Sequence, residues 1–131
     1  MAAFAVRREP TAFSTSPSKG QKRPRRENGK HLAWIRTLPC VITGQYGVEA
    51  AHIRYAAPEY GKRDTGKAEK PDDDWVIPLA PELHREQHSM NEVKFWAKYG
   101  IDPCRVALAL SRITGDDEAA LVIIRNAKVR P

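Results

Sequence analysis

Apolar residues fall into short runs along the first half of the chain, and each run predicts one short element. Residues 31–38 place their apolar positions on one face, which predicts a short helix that stops at Pro39. The runs 40–42 and 48–53 predict two strands that pair with each other. From 54 to 74 the chain is charged and shows no apolar pattern, and a segment of that length inside a small domain favours a functional loop.

The second half of the chain carries start signals for four helices, each a capping residue, an N-terminal proline or a group of acids. A short apolar run at 75–79 precedes them, and Gly100 ends the second helix. The start signals are Pro81, Ser89 or Asn91, Asp102 with Pro103, and the acids between 116 and 118. Helices that follow two short strands predict an α+β fold, and 131 residues suffice for one small domain.

Positive charge is concentrated at the start of the chain. The formal net charge is +6, and residues 1–36 hold nine Lys and Arg against two acids, so the remainder is nearly neutral. Residues 1–29 are also rich in Ser, Thr and Pro, so we expect a disordered basic arm there and a folded domain over 30–131.

A basic arm on a near-neutral domain favours a nucleic-acid partner, because each Lys or Arg placed on a phosphate releases a counterion. A solvated tail that keeps the protein soluble is the alternative interpretation. The arm residues that we expect to contact DNA are Lys22, Arg23, Arg25 and Arg26.

The remaining composition bears on the cellular compartment. No apolar run approaches the length of a membrane span, and the N-terminus lacks the apolar region of a signal peptide. We therefore expect a cytoplasmic protein with no membrane partner. Cys40 and Cys104 lie far apart, and in a reducing compartment they are expected to be free, packed thiols.

Three of the four histidines bracket the long loop. His84 and His88 are four residues apart in a predicted helix, so both imidazoles leave one face and can reach one ion. His52 follows the second predicted strand. Taken singly, each has a simpler interpretation, as an exposed pair on a polar helix or a polar residue at a strand end. Only their order and spacing together indicate a site.

In this order the motifs resemble those of the HNH, or ββα-metal, endonucleases, in particular a phage and prophage branch related to recombination-enhancement nucleases. The resemblance covers roughly residues 31–110 and implies a ββα-metal core with a short N-terminal helix and added C-terminal helices. The matching motifs are AHIR at 51–54, KPDD at 70–73, PL at 78–79, the histidine pair, FW at 95–96 and GIDP at 100–103.

The resemblance also implies a role for each residue in phosphodiester hydrolysis, which needs a base for the attacking water and a cation for the phosphate. His52 matches the general base. Asp73 best matches the residue that orients this base, although its neighbours Asp72 and Asp74 remain alternatives. Arg54 is expected to contact DNA.

The same resemblance implies that His84 and His88 bind one divalent metal ion. Many relatives carry a further metal-binding His or Asp where this chain has Ala51, so water or an acid such as Glu49 would complete the coordination. Incomplete protein coordination favours loosely held Mg²⁺ or Mn²⁺, with Zn²⁺ and Ni²⁺ as alternatives.

Many relatives also hold a structural zinc through four side chains. The equivalent positions here are Cys40, Thr43, Ala80 and Leu83, and a single thiolate cannot replace four ligands. We therefore expect no structural zinc and expect Cys40 to be a buried apolar thiol.

The resemblance implies a small DNA endonuclease that acts in phage or prophage recombination or DNA processing. The alternative is a catalytically weak or inactive DNA-binding module that retains the fold. A recombinase partner is implied by the resemblance alone. If the endonuclease interpretation is right, the imidazoles of His52, His84 and His88 surround one small cavity.

Overall fold

The computed structural model describes residues 26–63 and 71–128. Within these ranges the fold is α+β, with one two-stranded sheet and five α-helices, which confirms the predicted class. In chain order the elements are α1 (Gly29–Ile35), β1 (Glu49–His52), a short 3₁₀ helix (Pro58–Tyr60), β2 (Val76–Leu79), α2 (Pro81–Ser89), α3 (Glu92–Tyr99), α4 (Pro103–Ser111) and α5 (Asp117–Arg125).

The sheet pairs β1 with β2 in antiparallel register, from Glu49 opposite Leu79 to His52 opposite Val76. All four residues of β2 are buried, because α1 and α4 both contact this strand. The apolar run at 75–79 therefore supplies the second strand of the sheet.

The prediction of a strand at 40–42 is wrong, and so is the prediction that this segment pairs with 48–53. Residues 41–43 form a turn, in which the Gly44 N–H donates to the Cys40 carbonyl at 2.8 Å and the Cys40 N–H donates to the Gln45 carbonyl at 2.8 Å. These bonds use the backbone groups that a strand would offer to a neighbour. A short apolar run shows that residues are buried, but it does not determine their conformation.

Helix boundaries follow the local start and stop signals closely. Three of the predicted caps each accept a hydrogen bond from the backbone N–H of the third residue of the helix that follows, and Gly100 ends α3 at φ +69°. The Ser89 hydroxyl instead donates to the Glu86 carbonyl, and Ser89 is the last residue of α2. The confirmed caps are Asn91, Asp102 and Asp116.

A continuous core surrounds the sheet and includes the fully buried rings of Phe95 and Trp96, which pack edge to face. Cys40 and Cys104 are both buried free thiols, as predicted. Across residues 26–63 and 71–128, no helix is long and apolar enough to cross a membrane.

Candidate metal and catalytic site

A strand–strand–helix unit positions the predicted site residues. β2 leads into α2 through the single residue Ala80, and α2 begins with Pro81, whose fixed φ suits a first turn. α2 packs against β1, so side chains of this helix meet side chains of that strand. The histidine pair lies on α2, and His52 is the last residue of β1.

His84 and His88 face each other one helical turn apart. Their Nε2 atoms are 3.2 Å apart and their ring centroids 4.8 Å apart. An ion about 2.1 Å from each nitrogen would see the two ligands at an angle of about 100°, between the octahedral and tetrahedral values. The two imidazoles therefore fit a single divalent ion.

Glu49 determines the orientation of one of these rings. Its Oε1 lies 2.7 Å from Nδ1 of His84, so Nδ1 carries a proton toward the carboxylate and Nε2 is directed at His88. Such a carboxylate partner fixes the tautomer of a metal-binding histidine and raises its basicity. Glu49, which the sequence suggested as a substitute ligand, is therefore hydrogen-bonded to one of the two predicted ligands.

The protein offers two ligands at this position. Ala51, where many HNH enzymes have a metal-binding side chain, is fully buried in the core. Among the residues that the structure describes, no group of three or more His, Cys, Asp or Glu side chains is placed to hold a metal ion. Within residues 26–63 and 71–128, the protein side chains placed for such an ion are therefore the two imidazoles.

The electrostatic surroundings favour the neutral form of His88. Partial burial lowers the pKa of this imidazole, and the charges of His84 and Arg54 lower the pKa further. Because only neutral imidazole binds a metal ion, the lowered pKa keeps His88 available as a ligand at neutral pH. The charge of Arg54 therefore acts on His88.

His52 is paired with Asp73, as predicted. Nε2 of His52 lies 2.9 Å from Oδ1 of Asp73, whose side chain is buried, while His52 is about one-fifth exposed. Asp72 and Asp74 bind other groups, which identifies Asp73 as the partner among the three candidates. A proton on Nε2 leaves Nδ1 as the basic nitrogen of the neutral ring.

Asp73 is held by the end of the predicted basic arm. The Asn28 N–H donates to Oδ2 of Asp73 at 2.8 Å, and the Asp73 N–H donates to the Arg26 carbonyl at 2.9 Å. The arm boundary predicted at residue 29 is therefore too late, because residues 26–28 already bond to the domain. No sequence signal in this polar stretch indicated that contact.

Glu92 is a second residue that sequence reasoning missed. It accepts hydrogen bonds from Nε2 of Gln87 at 3.0 Å and from the Arg54 N–H at 3.3 Å. Burial raises the pKa of this carboxyl, and the bond from the Arg54 N–H opposes that shift. Glu92 thereby connects the segment that follows His52 to α2. From its position in the sequence, Glu92 was expected only to be an acid in the first turn of a helix.

The contacts predicted between basic residues and DNA stay a prediction. Lys22, Arg23 and Arg25 lie outside the described residues. The Arg26 guanidinium pairs with Asp74, although the Arg26 side chain is 72% exposed. Arg54 is exposed.

Cys40 anchors α2 to the rest of the fold. Its sulfur accepts the backbone N–H groups of Ile42, Thr43 and Ala80 at 3.4 to 3.5 Å. The thiol is buried, as expected, and it contributes weak hydrogen bonds in addition to packing. Since Ala80 immediately precedes α2, these bonds help to place the helix that carries the histidine pair.

The structure thus places His84 beside His88, and His52 beside Asp73. β1 contributes one residue to each group, Glu49 to the first and His52 to the second. That the three imidazoles surround one cavity stays a prediction.

Comparison with known proteins gives one match. No curated protein and no solved structure matches the chain. A family model described as "Protein of unknown function (DUF968)" matches residues 4–114, which include both strands and both histidine groups. Since the match spans most of the 131 residues, the chain belongs to this DUF968 family of proteins of unknown function.

Proposed function

We propose that this protein is a metal-dependent DNA endonuclease of the HNH, or ββα-metal, type. One observation carries the proposal: a single strand–strand–helix unit holds a facing imidazole pair on the helix and a histidine bonded to a buried aspartate at the end of the first strand. Each histidine group also has its own orienting carboxylate, which an incidental cluster would not need.

His52 serves as the general base in this mechanism. With Nε2 donating to Asp73, Nδ1 accepts the proton of the water that attacks phosphorus. The Asp73 carboxylate then stabilises the imidazolium that forms, as an aspartate does beside other catalytic histidines. Burial strengthens that effect because the surrounding dielectric is low.

His84 and His88 would hold one divalent ion, Mg²⁺ or Mn²⁺ first and Zn²⁺ or Ni²⁺ as alternatives. When bound, such an ion supplies charge neutralisation at the phosphate and at the leaving oxygen. Glu49 keeps the His84 ring in the orientation that directs Nε2 toward the ion.

DNA is the proposed partner, held by the basic arm and by Arg54, whose charge lies near His88. By resemblance to phage and prophage nucleases, we place the activity in recombination or DNA processing, with a recombinase as a further proposed partner. Phosphate contacts of this kind position a duplex without reading its sequence.

A second candidate is a DNA-binding module that retains this fold and cuts weakly or not at all. The buried Ala51, and the lack of a third ligand among residues 26–63 and 71–128, favour it. The two candidates differ in what they require of His52, because a module that only binds DNA has no need of a base.

Cleavage of supercoiled plasmid distinguishes the two candidates. We expect nicked or linear products with Mg²⁺ or Mn²⁺ and none with EDTA. His52→Ala should lower the cleavage rate about 10²- to 10⁴-fold while leaving DNA affinity nearly unchanged, because a base acts on the transition state.

Arg85→Ala is the matched control, since Arg85 is exposed on the same helix as the histidine pair. A wild-type cleavage rate in His52→Ala would show that the nuclease mechanism is wrong. Binding by the wild-type protein with no metal-dependent cleavage would favour the second candidate.

A further inference from the structure

Three consecutive aspartates, 72–74, are each bonded to the segment 26–28, which we call the N-terminal clamp. Asp72 accepts the Arg26 N–H at 2.7 Å, and Asp74 pairs with the Arg26 guanidinium. Asp73 is bound on two sides, through its own N–H to the Arg26 carbonyl and through Oδ2 to the Asn28 N–H. The clamp therefore bonds to the turn that precedes β2, although about 45 residues separate the two segments in sequence.

The two carboxylate oxygens of Asp73 have different partners. Oδ1 meets Nε2 of His52 at 2.9 Å, and Oδ2 meets the Asn28 N–H at 2.8 Å. Both donors constrain the plane of this buried carboxylate. Without the clamp, the carboxylate would lack a bond that its burial makes costly to leave unmade, and it would reorient.

We propose that the N-terminal clamp is a positioning segment for His52. It holds Asp73 in the plane that keeps the proton on Nε2 and the basic lone pair on Nδ1. In this role the clamp takes no part in the chemical step and acts on His52 through Asp73. The catalytic consequence of this inference rests on the proposed function, whereas its structural part concerns the tautomer of His52 alone.

Weakening the clamp in the full chain tests the inference. Asp72→Asn with Asp74→Asn removes both charged anchors of Arg26 and leaves Asp73 and His52 unchanged. Glu59→Gln with Glu118→Gln is the matched control, because it removes two negative charges from exposed positions elsewhere. Two quantities are measured: the ¹⁵N shifts of the His52 imidazole, assigned through the signal that disappears in His52→Gln, and kcat and KM for plasmid cleavage.

We expect a single Nε2–H tautomer in the wild-type protein and in the control. In the Asp72→Asn, Asp74→Asn variant we expect a mixture of tautomers, with kcat lower by about tenfold and KM not raised. If that variant does not fold, Arg26→Ala removes only the exposed ion pair; it should shift the tautomer in the same direction, and Arg26→Lys should restore it.

An unchanged tautomer and an unchanged kcat in these clamp variants would overturn the inference. The spectrum also separates this failure from failure of the proposed function. A wild-type protein that cuts no DNA but shows a clamp-dependent tautomer would refute the nuclease and leave the positioning role supported.

Discussion

At the scale of single residues, two of the three site imidazoles, those of His84 and His52, are each oriented by one carboxylate. Glu49 binds Nδ1 of His84, and Asp73 binds Nε2 of His52. In the proposed mechanism the two rings therefore use opposite nitrogens, Nε2 of His84 toward a metal ion and Nδ1 of His52 toward a proton. This division of roles follows from the positions of the acids, because the two histidines are chemically identical.

Metal affinity should depend on Glu49 through its bond to His84. We expect Glu49→Gln to weaken Mn²⁺ binding about tenfold, because the neutral carboxamide holds Nδ1–H of His84, and with it the ring orientation, less firmly than the carboxylate does. Titration calorimetry of the full chain measures the affinity. Glu82→Gln removes the same charge from an exposed position on α2 and should leave the affinity nearly unchanged. Equal reductions in both variants would indicate a general charge effect and contradict the proposed role of Glu49.

A pH-dependent stability is expected from His31. This histidine is fully buried, with Nδ1 2.8 Å from the Thr114 hydroxyl. Burial lowers the pKa of His31 below its ordinary 6.5, and the charges of Asp74 and Asp73 oppose this shift only in part. The unfolded chain therefore takes up a proton as the pH falls below about 6.5 while the folded chain does not, so the free energy of unfolding decreases.

Urea denaturation at several pH values checks this expectation. His31→Gln cannot titrate, so between about pH 7.5 and 5.5 its free energy of unfolding should fall less than that of the wild-type protein. The comparison uses the slope, which is independent of any constant change in packing. Parallel curves would show that His31 does not contribute to the pH dependence.

At the scale of elements, short helices depend on their caps. α5 has nine residues, too few for stability in isolation, and its first turn is held by the Asp116 carboxylate, which accepts the Ala119 N–H at 3.1 Å. α5 packs on α4, whose own cap is Asp102. The capping residues that predicted the starts of α4 and α5 from the sequence therefore also stabilise these helices in the structure.

Removing the α5 cap should be measurable in unfolding experiments. Asp116→Ala is expected to lower the free energy of unfolding by about 1 kcal/mol, the usual value of an N-cap side chain. Asp116→Asn keeps an accepting oxygen at the same position and should retain most of that stability. If Asn and Ala cost the same, the capping bond is not what Asp116 contributes.

At the scale of the whole molecule, the concentrated positive charge and the proposed site residues lie in different parts of the chain. The N-terminal clamp lies between them in sequence. Residues 1–25 contain six Lys and Arg, whereas the histidine groups lie in the folded domain. A truncation designed to change the DNA affinity without changing the cleavage rate must therefore stop before Arg26. A cut through 28 would remove the support of Asp73 together with the arm.

Deleting residues 1–25 should change the salt dependence of DNA binding. For each phosphate that the shortened protein no longer neutralises, the slope of log affinity against log salt concentration should flatten by about 0.9 on duplex DNA. The cleavage rate at saturating DNA should change little, because Asp73 keeps its bond to Asn28. Salt-titrated binding of both proteins checks this, and an unchanged slope would mean that the arm is a solvated tail.

Local features of this protein could be predicted from the sequence because they depend on residues a few positions apart. The caps at Asn91, Asp102 and Asp116 bond within one turn, and His84 meets His88 because a helix places residues four apart on one face. The resemblance also assigned Asp73 to His52, although 21 residues separate them.

Features that join distant segments were decided only by the tertiary structure. The run 40–42 is buried but forms a turn, because the partner of β1 is β2 and not the nearer apolar segment. Glu49 meets His84 across 35 residues and Asn28 meets Asp73 across 45, and no periodicity along the chain encodes either contact. A hydrophobic pattern specifies which residues are buried, whereas the orientation of a buried polar group depends on which donors the completed fold places beside it.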